Sequence, residues 1–398
     1  MSWEKVRLGD VTDSCLGKML DQEKNKGEYQ PYLANLNVRW GTFDLDNLSQ
    51  MRFEDDEQER YGLRYGDLVV CEGGEPGRCA IWKDQIPGMK IQKALHRVRV
   101  HECLDYRYLF YWFLLAGKRG ILEQYFTGAT IKHLPGQKLK SVVIDMPPIE
   151  TQHRIADILS AYDDLIENNR KQIKLLEEAA QRLYKEWFVD LRFPGYEYTK
   201  IVDGVPEGWE KSTVAAVSSI LRRGISPRYN ENGKFVVINQ KCIRQTVVSF
   251  DESRRQEKLY PEDLNLQDSD TVICSTGAGT LGRVGQIFGN YPDTTLDSHV
   301  TLVRAKEGFG KQYLFQSLNS RQTYLMGMGK GSTNQLELSR GTIQDLDIYI
   351  PLKKVLNQFE QVAQPIHDKI SVISKSILQL QTARDHLLPK LMNGEVEV

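Results

Sequence analysis

Few side chains in this sequence have the types and spacing that catalysis requires. Residues 327–332, Gly-Met-Gly-Lys-Gly-Ser, come nearest to a phosphate-binding loop, but the spacing is too short and no Ser or Thr follows Lys330 directly. Residues 145–148, Asp-Met-Pro-Pro, approach the catalytic loop of amino-methyltransferases, yet the inserted Met146 and the aliphatic Ile149 break that pattern. Neither segment therefore supports a catalytic role.

Histidine and cysteine, which often hold metals in proteins, are scattered along the chain. His96 and His299 each stand alone beside a strand-like segment, where a histidine more often supports the core than binds a ligand. No Gly-x-Ser-x-Gly, His-Glu-x-x-His or zinc-ligand spacing occurs, and no Gly-x-Gly-x-x-Gly loop follows a strand. The sequence predicts a protein that is not an enzyme and holds no metal.

The length and composition are those of a globular protein with more than one domain. The chain has 398 residues, of which 40% are hydrophobic and 26% charged. Its first residues lack the apolar segment of a secretory signal, and its longest apolar run, 108–116, is far shorter than the roughly 20 residues of a membrane helix. The six cysteines show no paired spacing, which is typical of reduced thiols. We expect a cytoplasmic protein.

The charge distribution is more informative than the net charge of −1. Residues 211–258 contain ten Lys or Arg and four Asp or Glu, and residues 127–140 contain three Lys and no acidic residue. Such segments indicate either a surface that attracts nucleic acid or ordinary solvated charge. The charge pattern alone leaves both interpretations open.

The second half of the chain repeats the first at a shift of about 203–206 residues. Ordered matches at one shift predict a tandem duplication. The matched segments are 3–5 and 209–211, 67–71 and 270–274, 73–78 and 277–283, His96 and His299, 128–134 and 331–336, and 146–148 and 349–351.

Each repeat ends in a long segment with apolar residues at alternating steps of four and three. This spacing predicts a helix with a heptad seam, which needs a partner helix. The helix of the other repeat is the nearest partner and would lie antiparallel to it; dimerisation with a second chain is the alternative. The predicted seam residues are Ile155, Leu159, Ile166, Asn169, Ile173, Leu176, Leu183, Ile366, Ile370, Ile373, Ile377, Leu380 and Leu387.

Between the helices, short strand-like runs alternate with Gly, Pro, Asn and Asp, which predicts a mixed α/β (α+β) fold for each repeat. The expected architecture is two similar domains separated by two long antiparallel coiled-coil helices with pseudo-two-fold symmetry. The predicted boundaries are 1–150 for the first domain, 151–190 for the central helix, 191–352 for the second domain and 353–398 for the C-terminal helix.

Three segments resemble those of a known family. Residues 165–173, continuing to 187–190, resemble the central helix of the specificity subunits of Type I restriction–modification systems. Residues 387–395 resemble the end of their C-terminal helix, and the helix entry at 147–152 is also similar. The resemblance extends over the whole chain.

This resemblance implies two target-recognition domains, each of which reads half of an asymmetric, bipartite site in double-stranded DNA. It also implies two methyltransferase (modification) subunits, which methylate adenine, and restriction motor-nuclease subunits as partners in phage defence. The methyl donor and ATP then bind to those partners, and this chain has no cofactor.

Residues at turns and strand edges are the expected DNA contacts. Lys and Arg suit phosphate, Arg suits guanine, and Asn or Gln suits adenine. The candidates are Asn35, Asn37, Arg39, Trp40, Arg78, Lys132 and His133 in the first domain, and Arg222, Arg223, Asn239, Lys241, Arg244, Arg283, Lys330 and Asn334 in the second.

Two other functions compete with this interpretation. A protein–protein adaptor with two heads and a coiled-coil spacer would have the same duplication, but its binding would not depend on salt as DNA binding does. A self-contained methyltransferase is the other alternative, and the missing cofactor loop argues against it.

Overall fold

The chain folds into two compact units. Unit 1 comprises Met1–Glu167 and Leu378–Val398, and unit 2 comprises Asn168–Ile377. The computed structural model describes residues 3–21, 25–46, 48–277, 279–329 and 336–398.

The elements of the first repeat are β1 (Glu4–Arg7), α1 (Leu8–Val11), β2 (Thr12–Leu16), β3 (Glu28–Leu33), β4 (Val38–Arg39), β5 (Thr42–Phe43), β6 (Ser49–Phe53), α2 (Glu57–Tyr61), β7 (Leu68–Cys71), β8 (Cys79–Ile81), β9 (Lys90–Ile91), β10 (Leu95–Val100), α3 (Tyr106–Lys118), α4 (Gly136–Lys140), β11 (Val143–Met146) and α5 (Ile149–Tyr184). A four-stranded sheet has the order β2-β10-β7-β8, and a three-stranded sheet has the order β6-β3-β9. All these pairs are antiparallel except β3 with β9.

The elements of the second repeat are β12 (Ile201–Val202), β13 (Val205–Pro206), β14 (Glu210–Thr213), α6 (Val214–Val217), β15 (Ser218–Arg223), β16 (Phe235–Ile238), β17 (Arg254–Gln256), β18 (Thr271–Cys274), β19 (Val284–Gln286), β20 (Thr294–Leu296), β21 (Val300–Ala305), α7 (Lys311–Asn319), α8 (Gln322–Gly327), α9 (Arg340–Gln344), β22 (Asp347–Ile350) and α10 (Lys353–Met392). Its sheets, β15-β21-β18-β19 and β17-β16-β20, have the same topology as those of the first repeat. The predicted duplication and mixed fold class are confirmed.

The residue types of two central strands and of helix α3 account for their burial. β7 (Leu-Val-Val-Cys) and β18 (Thr-Val-Ile-Cys) are buried at every position. This is expected of strands that are rich in β-branched residues and covered on both faces. α3 is apolar all round, and its residues 108–116 are buried in the core of unit 1. Asp105 caps α3 by accepting hydrogen bonds from the backbone N–H groups of Arg107 and Tyr108 at 2.7 and 3.1 Å.

A buried ion pair recurs at the same place in both four-stranded sheets. Arg99 on β10 donates two hydrogen bonds of 2.8 Å to Asp67, just before β7. Arg304 on β21 donates two of 2.7 Å to Asp270, just before β18. Both aspartate side chains are 1% exposed. The pair therefore ties the start of one strand to its neighbour in each unit.

The long helices begin close to the predicted starts, α5 at Ile149 and α10 at Lys353, and each contributes residues to both compact units. In unit 1 the start of α5 lies antiparallel to the end of α10. Arg154 donates to the Val398 carbonyl oxygen at 3.1 Å, and Arg384 pairs with Asp163. These helix ends therefore pack within one chain.

Burial along both helices follows the seam pattern. Ile155, Leu159, Ile166, Ile370 and Ile373 are buried, and the other eight predicted seam residues are half-buried. By contrast, the apolar residues Leu165, Leu175 and Leu378, which lie off the seam, are 51–65% exposed. Arg384 interrupts the seam with a charge, and its pairing with Asp163 satisfies that charge within unit 1.

We expect Arg304→Met to destabilise the protein by about 3–5 kcal/mol, because it leaves the buried Asp270 carboxylate without its partner. The double variant Asp270→Asn with Arg304→Met should recover much of this loss, since neither residue is then charged. Urea-induced unfolding followed by circular dichroism measures both effects. Equal stability of Arg304→Met and the unchanged protein would contradict this role of the pair.

A second prediction concerns Glu177 on α5, whose side chain lies near Thr246 in unit 2. Burial raises the pKa of Glu177 from its ordinary value of 4.5 to about 7, against a lowering by its hydrogen bond to Thr246. A raised carboxyl pKa stabilises the folded state at low pH, and this contribution is lost as the pH rises from about 4.5 to about 7.

Glu177→Gln should therefore gain stability relative to the unchanged protein across that pH window, reaching about 1–3 kcal/mol above pH 7. Urea unfolding at pH 5, 6, 7 and 8 measures the difference. Glu178→Gln is the matched control, because Glu178 is 40% exposed and its side chain pairs with Arg182. A stability difference that stays constant with pH would show that Glu177 ionises normally.

Candidate nucleic-acid interface

A tight glycine-rich turn, Gly73–Arg78, connects β7 and β8 in unit 1; we call it turn 1. Gly74 and Gly77 have φ values of +76° and +88°, which L side chains rarely adopt. A Cβ atom on Gly77 would lie only 2.4 Å from Cδ1 of Leu122. The backbone N–H of Gly77 donates to the Cys71 carbonyl at 2.9 Å, which closes the turn. The glycines thus allow a compact turn at the end of a buried strand.

Two candidate residues converge on the carboxylate of Glu75 in turn 1. The indole Nε1–H of Trp40 donates to Oε1 of Glu75 at 2.7 Å. Arg78 donates from Nη1 to Oε2 of Glu75 at 2.9 Å, and from Nη2 to the Asn35 carbonyl at 3.0 Å. The Arg78 side chain is only 16% exposed, whereas that of Glu75 is 52% exposed. The acidic residue therefore faces solvent and the basic one supports it.

A second segment, Thr127–His133, lies beside turn 1; we call it loop 1. Thr127 and His133 exchange two backbone N–H···O hydrogen bonds of 2.8 Å. The next residue, Leu134, donates its N–H to the Glu72 carbonyl at 2.7 Å, and its carbonyl lies 2.9 Å from Nε2 of His96. Burial lowers the pKa of His96, while the Leu134 carbonyl raises it. His96 is thus a buried support for loop 1.

The structure gathers four of the seven candidates of unit 1 around turn 1, namely Asn35, Trp40, Arg78 and His133. A Cβ atom on Gly73 would lie 3.1 Å from Nδ1 of His133, and one on Gly74 would lie 3.0 Å from Nδ2 of Asn35. His133 is exposed and Asn35 is half-buried.

The remaining candidates of unit 1 have other surroundings. Lys132 is exposed, with its ammonium 3.7 Å from Glu123. The Arg39 guanidinium donates to the Val38 carbonyl at 3.1 Å and lies 3.7 Å from Asp44. Both therefore remain surface candidates with an acidic neighbour.

The prediction that Asn37 contacts DNA is wrong. Asn37 is 4% exposed. Its Oδ1 accepts from the Ala34 N–H at 2.9 Å, and its Nδ2 donates to the Asp44 carbonyl at 3.0 Å. Both ends of the amide are used to hold the backbone, so the side chain has no group to offer a base.

In unit 2 the corresponding turn, Thr276–Arg283, connects β18 and β19; we call it turn 2. Gly277, Gly279 and Gly282 have φ values between +77° and +103°. The Thr276 hydroxyl lies 2.7 Å from Nδ1 of His299, and a Cβ on Gly277 would lie 3.0 Å from Nε2 of Gln240. Both turns thus lie beside an imidazole and an amide, but residues 276–283 of turn 2 include the Thr276 hydroxyl and no carboxylate in the place of Glu75.

Gln240 was not among the predicted contacts, whereas its neighbour Asn239 was. The Asn239 Oδ1 accepts from the Lys241 N–H at 2.8 Å, and its Nδ2 donates to the Glu252 carbonyl at 2.7 Å. Asn239 therefore caps the short helix Gln240–Cys242 with its side chain, and Ala34 occupies the same position, without a side-chain cap, before Asn35–Asn37. Gln240 and Asn35 both begin these helices, and both lie against a turn glycine. Asn239 stays a predicted contact, and Gln240 is a further candidate on this ground.

Other candidates in unit 2 are held by acidic side chains. Arg222 pairs with Asp263 at 2.8 Å, and Arg223 pairs with Glu337 at 2.6 Å. Arg244 lies 3.6 Å from Glu252. Lys241 is exposed and Arg283 is half-buried, and Lys330 and Asn334 lie outside the described residues.

The backbone also corrects the alignment of the repeats. The Leu338 N–H donates to the Ser275 carbonyl at 2.8 Å, as the Leu134 N–H does to the Glu72 carbonyl. Leu338, and not Leu336, is therefore the counterpart of Leu134. His299 is exposed and bonded to a turn hydroxyl, whereas its sequence partner His96 is buried.

A repeated pair of exposed side chains was missed by the sequence analysis. The Arg52 guanidinium lies 4.8 Å from the centre of the Tyr29 ring, and that of Arg254 lies 3.6 Å from the Tyr229 ring. All four residues are exposed. Tyr29 on β3 lies opposite Arg52 on β6, whereas Tyr229 precedes β16 and lies beside β17, which carries Arg254. Only the two arginines occupy corresponding strands, and this correspondence is visible in the fold.

Metal-binding clusters and membrane-spanning helices are both absent from the part of the chain that the structure describes. No three His, Cys, Asp or Glu side chains there come together as a metal site. None of the described helices is long and apolar enough to cross a membrane.

The repeated sheet, ion pair and turn define an internally duplicated α+β protein with two long helices. Residues 1–178 match the family model of the Type I restriction modification DNA specificity domain. The chain is 28% identical over 300 residues to the Type I restriction enzyme MjaIX specificity subunit of Methanocaldococcus jannaschii, with 73% of this chain and 69% of that protein covered.

A second relative extends the similarity along the whole chain. It is the MjaVIII specificity subunit of the same organism, 25% identical, with 100% of this chain and 93% of that protein covered. The crystal structure of the S subunit from M. genitalium shares the fold, with a TM-score of 0.57 at 17% identity over 98% of this chain and 96% of that one. The predicted resemblance is confirmed: the chain is similar to specificity subunits of Type I restriction–modification systems.

We expect His96→Leu to loosen loop 1, because the buried Leu134 carbonyl then loses its hydrogen bond at a cost of about 1–3 kcal/mol. Hydrogen exchange of a peptide that covers residues 127–134 should become faster. His101→Leu is the matched control, because His101 directly follows β10, the strand that contains His96, and is 43% exposed. Among the described side chains, it pairs with Asp13 at 3.4 Å. Unchanged exchange in His96→Leu would show that loop 1 holds its shape without this contact.

Proposed function

We propose that this protein is the DNA-recognition subunit of a Type I restriction–modification complex and that it reads an asymmetric, bipartite site in double-stranded DNA. Unit 1 reads one half of the site through turn 1 and loop 1, and unit 2 reads the other half through turn 2. The observation that carries this proposal is the repetition of one sheet and one turn with different side chains at the turn.

The difference between the turns supports two different half-sites. Turn 1 presents Glu75, held by Trp40 and Arg78, beside Asn35. Turn 2 presents Thr276 beside Gln240. Because the donors and acceptors differ, the two units recognise different patterns of base edges.

The exposed basic side chains supply phosphate contacts in this proposal. Lys132 in unit 1 and Lys241 in unit 2 are exposed, and Arg52 and Arg254 lie exposed at repeated sheet edges. Phosphate contacts position a protein on the duplex without reading its sequence. A net charge of −1 is compatible with this role, because the basic groups are concentrated locally.

The chain itself carries out no reaction in this proposal. It directs methyltransferase subunits, which modify adenine, and restriction motor-nuclease subunits to the site, and these partners bind the methyl donor and ATP. The exposed faces of α5 and α10, including Leu165, Leu175 and Leu378, are the surfaces that we assign to the methyltransferase subunits.

The test is adenine methylation of genomic DNA in a host that carries this chain with its neighbouring methyltransferase. Deletion of the chain should remove methylation from one split motif, because the methyltransferase then lacks its reader. Exchange of residues 1–150 for those of a relative should change one half of the motif and leave the other half unchanged. Sequencing that detects methylated adenine measures both.

Two outcomes would contradict the proposal. If deletion leaves methylation unchanged, the chain does not direct the methyltransferase, and a protein–protein adaptor becomes the better explanation. If exchange of residues 1–150 changes both halves of the motif, the two units do not read separate half-sites. Exchange of residues 191–352 is the complementary control and should change only the other half.

A further inference from the structure

We propose that Glu75 reads a cytosine in the half-site of unit 1, by accepting a hydrogen bond from the exocyclic N4 amino group in the major groove. This inference rests on the proposed function and adds a specificity-determining residue to it. Trp40 and Arg78, which the sequence predicts as DNA contacts, are positioning residues that act through Glu75 in this proposal.

The carboxylate of Glu75 is both exposed and oriented. One oxygen accepts from Trp40 and the other from Arg78, at 2.7 and 2.9 Å. An ionised carboxylate has about four acceptor positions, so these two bonds leave acceptor capacity on each oxygen. The side chain is 52% exposed at an outward turn. Glu75 can therefore accept a further donor without breaking either bond.

The two donors are themselves fixed by the fold. Arg78 is 16% exposed and also donates to the Asn35 carbonyl at 3.0 Å. The Trp40 ring packs so closely on α3 that a Cβ atom on Gly117 would lie 2.7 Å from it. Neither group is free to turn from Glu75 toward a DNA phosphate. Their role is therefore to hold the carboxylate in one orientation, as a base-reading group requires.

The chemistry of the Glu75 carboxylate determines which group on DNA it can contact. An ionised carboxylate only accepts hydrogen bonds, and phosphate oxygens repel it, so its partner on DNA is a donor on a base edge. In the major groove Glu and Asp pair with the N4 amino group of cytosine. Arg78 offsets the negative charge of Glu75 and so weakens its repulsion from the DNA backbone.

The contact belongs to one half-site only. Turn 2, residues 276–283, contains no Asp or Glu in its sequence. The inference therefore predicts one difference between the two half-sites.

The experiment compares four variants in the complete complex with its methyltransferase: Glu75→Ala, Glu75→Gln, Trp40→Phe and, as the matched control, Glu59→Gln. Glu59 is an exposed carboxylate of unit 1 that pairs with Arg64 at 3.0 Å, away from turn 1. Adenine methylation of genomic DNA gives the motif of each variant. Competition binding of the purified complexes to duplexes substituted at each position gives the base preference, even for a variant that no longer methylates.

Glu75→Ala should lose its preference for cytosine by about tenfold or more at one position in the half-site of unit 1. Glu75→Gln should also weaken the preference for cytosine, because an amide nitrogen cannot accept a hydrogen bond and one of the bonds from Trp40 and Arg78 is lost. Trp40→Phe removes only the indole donor and should relax the same position by a smaller factor. Glu59→Gln should keep the original motif.

Three results would overturn the inference while the proposed function stands. The first is a half-site of unit 1 with no cytosine on either strand. The second is that both Glu75 variants keep the original base preferences. The third is that Glu75→Ala binds all duplexes more tightly with unchanged preferences, which would mean that Glu75 only shields Arg78 from DNA. Failure of the proposed function is distinguishable, because methylation would then persist when the whole chain is deleted.

Discussion

The bidentate ion pair between a buried aspartate and an arginine on the neighbouring strand is the interaction on which each unit depends. Asp67 and Asp270 stand just before β7 and β18, and their carboxylates also accept from the backbone N–H groups of Arg64 and Gln267 at 2.8 Å. The pair thus fixes where the central strand begins. Because that strand is only four residues long, it also fixes where the glycine-rich turn emerges at the other end.

Buried ion pairs are weak evidence for stability, since desolvation offsets much of the attraction. Burial alone raises the pKa of Asp270, and Arg304 opposes this by favouring the charged form. The pair specifies the register of the strands: a one-residue slip of β10 against β7 would separate Arg99 from Asp67 and leave the buried carboxylate without its arginine. The same constraint in both units explains why the turns keep their place in the sheet while their side chains differ.

Much of this architecture could be predicted from the sequence. The repeat, the apolar strands β7 and β18, the glycine-rich turns and the heptad pattern are periodic features, and periodicity follows directly from burial. The alignment of Leu134 failed, because a local difference in loop length is invisible to a constant shift. The backbone hydrogen bond that identifies Leu338 as its counterpart exists only in the folded chain.

The candidate contacts were harder to predict, for a different reason. Residue type says which hydrogen bonds a side chain is able to make, but not whether the backbone already uses them. Asn37 and Asn239 have suitable amides, and local backbone groups occupy both ends of each. Glu75 is absent from the predicted contacts, which were selected for residue types that suit phosphate, guanine or adenine, although Arg78 and Trp40 both donate to it.

The two ends of the helix pairing use different chemistry, and this difference specifies how the helices pair. In unit 1 the Arg384 guanidinium meets Asp163, which also accepts from the Tyr111 hydroxyl at 2.7 Å. In unit 2 the pairing is aromatic, with the ring of Phe359 5.9 Å from Trp187 and 5.0 Å from Phe188. A shifted or parallel arrangement would separate Arg384 from Asp163 and leave Asp385 of its own helix, 2.9 Å away, as its remaining acidic partner. A polar residue in an otherwise apolar seam is a known device for fixing register. The departure of Arg384 from the heptad pattern is therefore part of what makes one pairing of α5 and α10 more stable than the alternatives.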